Sequence, residues 1–216
     1  MQFVKSLVER PVSSSAPLNI QLDSAIKVVL SDRRAALSHT LDAMQLEASE
    51  IGDVARLIIE TLRKGGRVLV AGNGGSAADA QHFATELVGR FKRERNPWPA
   101  MALTADTAML TAIANDYGFE TVFARQVAAF GGEGDVLIAF STSGKSPNLI
   151  RAAETAVERG MAVVAITGPC PNSLASIADR VIEVPIADVP IIQELHAVVL
   201  HILCEIVESS LAGDEQ

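Results

Sequence analysis

The chain opens with a segment in which apolar residues show no regular pattern. Residues 1–20 contain two prolines and a run of three serines, which is typical of a flexible arm. Over residues 22–45, apolar residues recur at intervals of three, four or seven positions, and this spacing predicts a long helix. A second helical pattern covers residues 51–62, and Gly65 and Gly66 follow it as a stop signal.

After residue 66 the pattern changes to short, continuous apolar runs separated by helical stretches. The runs are rich in β-branched residues and cover residues 67–71, 99–103, 135–140, 162–167 and 180–184. Such strands are buried on both faces, as in a parallel sheet with helices on either side. A last helix is predicted over residues 189–212, with Pro190 in its first turn. We therefore predict an α/β fold in one domain over residues 21–216, a three-layer α/β/α sandwich with a five-stranded parallel sheet plus long N- and C-terminal helices.

Composition and charge narrow the range of functions. The formal net charge of −8 argues against nucleic acid as a partner, because such binding relies on Lys and Arg at the phosphates. An acidic chain that binds a phosphate must use local backbone N–H groups and helix N-termini. The first residues lack an apolar core of signal-peptide length, and no window approaches the roughly 20 apolar residues of a membrane span. We expect a soluble, cytoplasmic protein with no membrane partner.

Two of the predicted strands lead into loops of small polar residues, where ligands bind in parallel sheets. The first, residues 72–76, is here called the glycine loop and reads GNGGS. In a dinucleotide-binding motif the third glycine would stand at position 77, which holds Ala, a tolerated variant. No acidic residue closes a strand about twenty residues later, since residues 91–97 read FKRERNP. We therefore exclude a dinucleotide site.

The second loop, residues 141–146, is here called the serine loop and reads STSGKS. Its ending resembles a Walker A motif, but residue 139 is alanine where that motif requires glycine, so a P-loop NTPase is excluded. Hydroxyl groups crowd the start of a helix that begins at Pro147; they belong to Ser141, Thr142, Ser143 and Ser146. In the alternative, Ser146 only caps that helix and the others form a turn. Four hydroxyls exceed what a cap needs, so we predict a phosphate site at this helix N-terminus.

His82 and Glu86 lie four residues apart in the helix predicted after the glycine loop, and therefore on one face of it. Taken alone, such a pair is more often an ordinary surface or core contact. Its position beside the glycine loop, with the resemblance described next, favours catalysis.

Four segments, in chain order, resemble the phosphoheptose isomerases: GNGGSAADAQHFATEL, AIANDYGFETVFARQV, GDVLIAFSTSGKSPN and IIQELHAVVLHILCEIVE. The resemblance covers about residues 45–211 and is more specific than the serine loop, which marks the wider SIS superfamily. It implies the SIS fold and conversion of sedoheptulose 7-phosphate to D-glycero-D-manno-heptose 7-phosphate through an enediol. That reaction is the entry to nucleotide-activated heptose for cell-surface glycans such as lipopolysaccharide.

The resemblance also implies a set of site residues. One zinc ion per subunit would be held by His82, Glu86, Gln193 and His201, with Glu86 also the base and His201 the acid. The metal would act as a Lewis acid on the substrate oxygens. The sugar phosphate would be bound by Asn73, Gly74, Gly75, Ser76, Glu86, Asn115, Asp116, Ser141, Thr142, Ser143, Ser146 and Gln193. For Asn115 and Asp116, a plain turn is the alternative.

The last predicted helix raises a geometric question. Gln193 and His201 are eight residues apart, which is about 12 Å along a continuous helix. Either both side chains lean toward one ion, or different subunits supply them. His196 is only three residues from Gln193, but the resemblance points to His201. We therefore expect His196 to be a packing group or a neighbour of the ligands.

This sequence departs from the family pattern in two places. Residues 168–173, GPCPNS, replace a glycine-rich turn, and the N-terminal arm is longer than usual; we expect neither to touch the site residues. Some SIS relatives are non-catalytic adaptors that bind the bacterial replication initiator protein, but they lose the acid at 86 and the histidine at 201, which this chain keeps. A sugar-phosphate-sensing regulator would need a basic helix-turn-helix, which the N-terminal region lacks. The aliphatic face of the first helix predicts a homotetramer, since a monomer could not cover it.

Overall fold

The computed structural model describes residues 18–45 and 48–212, which fall into two units, one ending at His39 and one beginning at Thr40. Helix α1, Leu18–Gln45, begins before the predicted start at residue 22, because Leu18 and Leu22 continue the same four-residue spacing. The predicted arm over residues 1–17 lies outside the described residues. In the first unit the aliphatic side chains of α1 are exposed: Ile20, Leu22, Ile26, Val28, Val29 and Leu30.

Helix α2, Ala48–Arg63, confirms the second helical pattern. Its buried residues form one stripe along the helix: Val54, Ala55, Ile58, Ile59 and Thr61. Gly65 has a φ of 79°, and the Gly66 N–H donates to the Thr61 carbonyl at 2.9 Å. The two glycines therefore end the helix, as the sequence predicts.

The second unit contains a five-stranded sheet in which every pairing is parallel. Its strands are β1 Val68–Gly72, β2 Ala100–Ala102, β3 Val136–Ser141, β4 Ala162–Thr167 and β5 Arg180–Glu183. Strands β1 and β3 are buried along their whole length, because helices cover both faces. Each strand overlaps its predicted run, and the three-layer α/β/α fold is confirmed.

The strand order, β2-β1-β3-β4-β5, places the topological switch of the sheet between β1 and β3. The chain leaves β1 toward one edge to form β2 and returns to the other side of β1 as β3. Gly72 at the end of β1 pairs in register with Phe140, the residue before the last in β3. The glycine loop and the serine loop therefore start side by side, at the crevice where open α/β sheets bind ligands.

The remaining helices are α3 Gly75–Val88, α4 Thr107–Tyr117, α5 Val122–Phe130 after a 3₁₀ turn at Phe119–Thr121, α6 Pro147–Glu158 and α7 Val189–Leu211. Helices α5 and α6 bury their apolar faces on alternate strand residues such as Leu69, Leu137 and Val163. On the opposite face of the sheet, Phe83 of α3 and His196 of α7 both pack against Phe140. The two helices that carry the predicted metal ligands thus share one layer.

The prediction that no window approaches a membrane span is wrong for helix α7, which is the one helix within the described ranges that is long and apolar enough to cross a membrane. A full stripe of its residues is buried in the protein, including Leu195, Val199 and Leu203. Its apolar character is accounted for by this packing in the helical layer.

Candidate active site

The glycine loop turns sharply from β1 into α3. Gly74 has a φ of 58°, a left-handed conformation that glycine adopts readily. A side chain at Gly72 would collide with the backbone carbonyl of Ser76, and one at Gly75 would collide with the amide of Gln193. The glycines therefore let the chain fold tightly and bring α7 against the start of α3.

In the serine loop, two hydroxyls brace the backbone. The Ser141 Oγ accepts a hydrogen bond from the Gly144 N–H at 3.1 Å, and the Ser143 Oγ accepts one from the Lys145 N–H at 3.2 Å. Because a hydroxyl both donates and accepts, each keeps its own proton for another acceptor. Ser146 is the N-cap residue of α6, but its side chain makes no capping hydrogen bond within the described structure. The capping half of the alternative is therefore wrong for the Ser146 side chain, whereas the Ser141 and Ser143 hydroxyls do bond within the loop, as its second half expects.

A reciprocal amide pair joins the two loops. The Asn73 Nδ2 donates to Asn148 Oδ1 at 2.9 Å, and the Asn148 Nδ2 donates to Asn73 Oδ1 at 2.8 Å. Asn148 lies in the first turn of α6 and is 2% exposed. Asn148 was not among the predicted site residues, because its one signal in the sequence is a polar residue in the first turn after the serine loop.

The predicted pair on α3 meets the predicted histidine of α7. The His82 Nε2 lies 3.1 Å from Glu86 Oε1 and 3.3 Å from the His201 Nε2. The two imidazole rings meet edge to face, with centroids 4.9 Å apart. A pair four residues apart on α3 and a histidine 119 residues further along the chain thus form one cluster in a single chain.

This cluster fits a divalent metal ion. Its three donor atoms all lie within 4.8 Å of one another. Bonds of about 2.0–2.2 Å to a tetrahedral zinc ion place neighbouring donor atoms roughly 3.3 Å apart, close to both distances given above. Imidazole nitrogens with a carboxylate oxygen are also the donor types that zinc accepts.

Gln193 lies elsewhere along the same helix pair. Its side-chain amide rests on Gly75 at the start of α3, whereas His201 meets His82 seven residues further along α3. Helices α3 and α7 therefore pack side by side in matching register, with Gln193 beside the glycine loop and His201 at the cluster. Eight residues of continuous helix separate Gln193 from His201.

Asn115 and Asp116 lie in the last turn of α4, so the alternative of a plain turn is wrong. Both are exposed, and the Asn115 Nδ2 donates to Asp116 Oδ1 at 2.8 Å. Their predicted contact with substrate hydroxyls stays a prediction.

Two further side chains surround the cluster, and sequence analysis missed both. The Phe91 ring stacks on the His201 ring, with centroids 5.5 Å apart and planes 25° from parallel. Asp79 lies one turn before His82, and its Oδ2 is buried without a hydrogen-bond partner among the described residues. Burial raises the pKa of Asp79 to about 6, and the nearby His82 opposes the rise.

His196 is a packing residue, as predicted. It is completely buried, and its ring lies 5.8 Å from that of Phe140. Burial lowers the pKa of His196 to about 4, and the backbone of Thr167 opposes this shift only in part. The imidazole is therefore neutral at physiological pH and lies inside the helical layer.

The prediction that residues 168–173 would not touch the site is wrong. A side chain at Gly168 would collide with the Thr142 carbonyl, and one at Gly144 would collide with the Asn172 side chain. The Leu174 N–H also donates to the Gly144 carbonyl at 2.9 Å. The loop after β4 therefore packs on the serine loop, because β3 and β4 are neighbours and their carboxyl ends meet at one edge.

Comparison with known proteins agrees with this geometry. The SIS domain family model matches residues 34–168. The chain is 46% identical over 194 residues to the phosphoheptose isomerase of Bradyrhizobium sp. (strain ORS 278), covering 89% of this chain and 97% of that protein. It is 54% identical over 162 residues to that of Burkholderia pseudomallei (strain K96243), covering 75% and 82%.

A solved structure is similar along nearly its whole length. The phosphoheptose isomerase of Neisseria gonorrhoeae superposes with a TM-score of 0.79 at 39% identity, covering 87% of this chain and 99% of that one. The sheet, the two loops and the His–Glu–His cluster thus occur in a chain whose similarity to these enzymes extends over most of its length. The chain therefore belongs to the phosphoheptose isomerases of the SIS-domain family, and it is a sugar-phosphate isomerase.

Proposed function

We propose that the chain converts sedoheptulose 7-phosphate into D-glycero-D-manno-heptose 7-phosphate, with a bound zinc ion. The observation that carries this proposal is the convergence of His82, Glu86 and His201 on one point in the layer of α3 and α7. The relatives named above are isomerases by name, which gives no support to the adaptor alternative.

The metal site consists of His82, Glu86 and His201, and Gln193 is its fourth ligand. Bound there, the ion would polarise the carbonyl and hydroxyl oxygens of the substrate. Because Gln193 rests on Gly75, about 12 Å along α7 from His201, we propose that it serves the metal of a neighbouring subunit. In that neighbouring site its amide also contributes to substrate binding.

The chemistry requires two proton transfers, and the chain has a group for each. Glu86 removes a proton from C1 of the ketose and returns it to C2, so that the carbonyl moves to C1. Its carboxylate is only partly exposed and is held by His82. His201, which is exposed at the cluster, protonates the carbonyl oxygen at C2 and then takes up the proton that the C1 hydroxyl releases, so that it returns to its starting state.

The phosphate binds at the other end of the site. The serine loop and the glycine loop lie at the same edge of the sheet. There the phosphate is bound by the hydroxyl protons of Ser141 and Ser143 and by the N-terminus of α6. The pocket is completed by Asn73, Gly74, Gly75 and Ser76. Seven residues of α3 separate Gly75 from His82, about 10 Å along the helix. The substrate therefore needs several bonds between its phosphate and its reacting carbons, which favours a heptose phosphate over shorter sugars. Asn115 and Asp116 bind its hydroxyls.

We further propose a cytoplasmic homotetramer in which residues 21–216 form one SIS domain. The exposed aliphatic residues of α1 support this assembly, since isolated soluble chains rarely expose so many large apolar side chains together.

The reaction is tested directly with zinc-loaded protein and sedoheptulose 7-phosphate. We expect the signals of an aldose phosphate to grow in the proton NMR spectrum while those of the ketose decline. Arabinose 5-phosphate serves as the shorter control aldose and should isomerise far more slowly. Protein that leaves sedoheptulose 7-phosphate unchanged would overturn the proposal.

A further inference from the structure

A buried ion pair lies behind the candidate active site, between α7 and the segment that follows α3. The side chains of Arg95 and Glu208 are 1% and 2% exposed, and Arg95 Nε lies 3.3 Å from Glu208 Oε1. Glu208 stands seven residues after His201 on α7, and Arg95 follows Glu86 by nine. Each partner therefore belongs to a segment that carries a residue of the metal cluster.

Both carboxylate oxygens of Glu208 hold the backbone of the segment after α3. Its Oε1 accepts from the Phe91 N–H at 2.9 Å, and its Oε2 accepts from the N–H groups of Lys92 and Arg93 at 2.7 and 2.9 Å. Burial alone would raise the pKa of Glu208, but these three N–H groups and Arg95 hold it below its ordinary value. The carboxylate stays ionised and works as a fixed anchor for three consecutive residues.

Arg95 holds the C-terminal end of α3. Its guanidinium donates to the Glu86 carbonyl at 2.7 Å and to the Leu87 carbonyl at 2.9 Å, which are among the last four carbonyls of the helix and have no partner within it. The Cζ atom of Arg95 also lies over the Trp98 ring, 3.6 Å from its centre. A cation at a helix C-terminus is favourable, and here it binds the backbone of the predicted base itself.

The same anchor sets the position of the aromatic ring that covers His201. Phe91, whose N–H is bound by Glu208, stacks on the His201 imidazole. Lys92 adds a second link, with its Nζ 2.8 Å from Glu205 Oε2 of α7 and 5.2 Å from the Phe91 ring centre. Glu86 and His201 are thus tied to one buried charge pair, although they lie on different helices.

A buried ion pair is weak evidence of stabilisation, because the cost of desolvation offsets most of the attraction. This pair instead fixes geometry, since its bonds go to the backbone of Glu86 and of Phe91. We propose that Glu208 and Arg95 are positioning residues, which hold Glu86 and, through the Phe91 ring, His201 in the arrangement that binds the metal and transfers protons. This inference rests on the metal and acid–base roles proposed above.

The test measures zinc affinity of the metal-free full-length protein, by competition with a chromophoric chelator, together with kcat and KM. Phe91→Leu keeps an apolar side chain but removes the stacking on His201. Residues that orient metal ligands typically change metal affinity about 10–100-fold when mutated, and we expect an increase in the zinc Kd of that size. The kcat should fall by a similar factor with KM nearly unchanged. Glu208→Gln should do the same where the variant folds.

Phe130→Leu is the matched control, because Phe130 is also half-buried but lies at the end of α5, outside the site. If Phe91 had a purely structural role, Phe91→Leu and Phe130→Leu would lower thermal stability equally, and neither variant would change the zinc Kd. Wild-type zinc Kd and kcat in Phe91→Leu would overturn the inference. The variant His82→Ala tests the proposed metal site separately from the positioning role. If His82→Ala binds zinc like the wild type, the proposed metal site is wrong. In that case the changes in kcat and KM of Phe91→Leu alone decide the positioning role.

Discussion

Two histidines on α7 differ in what surrounds them, and this difference assigns their roles. His196 is completely buried against Phe140, so a substrate cannot reach its ring. His201 is exposed and contacts both His82 and Phe91. Five residues apart on a helix, the two side chains point in different directions, and only His201 points to the cluster.

Replacing the two histidines in turn tests this assignment. His201→Ala should lower kcat by at least about 10²–10⁴, the span for one positioned proton-transfer group, because it removes a metal ligand as well as the acid. His196→Ala should lower thermal stability through the cavity it leaves, but keep kcat within about tenfold of the wild type. Steady-state kinetics at saturating substrate measure both. The reverse order of effects would mean that the site has been assigned to the wrong histidine.

The burial of His196 also makes stability depend on pH. In the unfolded chain its imidazole takes up a proton near the ordinary pKa of 6.5, whereas in the folded protein it stays neutral down to about pH 4. Protonation therefore favours the unfolded chain in this window, and the free energy of unfolding falls as the pH decreases from 6.5 to 4. A difference of one bound proton between the unfolded and folded states changes the free energy of unfolding by about 1.4 kcal/mol per pH unit.

Urea unfolding of the metal-free protein at pH 4.5, 5.5 and 6.5 measures that slope. His196→Leu fills a similar volume but cannot take up a proton. In this variant the slope of the free energy of unfolding against pH should be smaller by the contribution of about one proton. An unchanged slope in the variant would show that His196 does not contribute as described.

At the scale of elements, the sequence predicted the sheet well because its strands are short apolar runs buried on both faces. The runs at β1 and β3 lead into the glycine and serine loops, and parallel pairing brings these loops to one edge. The helix start at Pro147 was predicted correctly because proline is favoured in a first helical turn. Glu86 and His82 were placed on one face by their four-residue spacing alone.

Contacts between distant elements could not be predicted in the same way. Asn148 pairs with Asn73 across 75 positions, and Glu208 binds the Phe91 backbone across 117. No local pattern marks either pairing, since each depends on how helices pack over the sheet. The contact of Asn172 with Gly144 was missed for the same reason.

The serine loop supports a prediction of its own. Ser141→Ala with Ser146→Ala removes two hydroxyls, one of which braces the Gly144 backbone and one of which makes no capping bond. We expect KM for the sugar phosphate to rise at least about tenfold, since hydrogen bonds to charged groups contribute about 1.5–3 kcal/mol each. Thermal unfolding should be little affected. Unchanged kinetics would remove this loop from the phosphate site.

At the scale of the whole molecule, we propose that the site depends on assembly. The aliphatic side chains of α1 are exposed in the single chain, and so are Ile202 and Ile206 beside His201. Other subunits would cover these surfaces and bring a second Gln193 to the cluster. Sedimentation at micromolar concentration should give a tetramer, and a monomer would contradict this account.

Mixing subunits tests whether Gln193 acts across the interface. Gln193→Ala and His201→Ala should each be nearly inactive alone. In tetramers reassembled from equal amounts of both variants, about one quarter of the sites combine an intact His201 from one subunit with an intact Gln193 from its neighbour. Activity should therefore recover to about one quarter of the wild-type value. No recovery would mean that Gln193 and His201 act in the same subunit.

The most direct test of the central claim compares wild-type protein and Glu86→Gln, both loaded with zinc, on sedoheptulose 7-phosphate. The amide keeps the shape and one oxygen donor of Glu86 but cannot accept the proton from C1. With equal zinc content in both proteins, the rate of aldose formation followed by NMR should be lower in the variant by about 10²–10⁴. Aldose formation by Glu86→Gln at the wild-type rate would contradict the proposed mechanism.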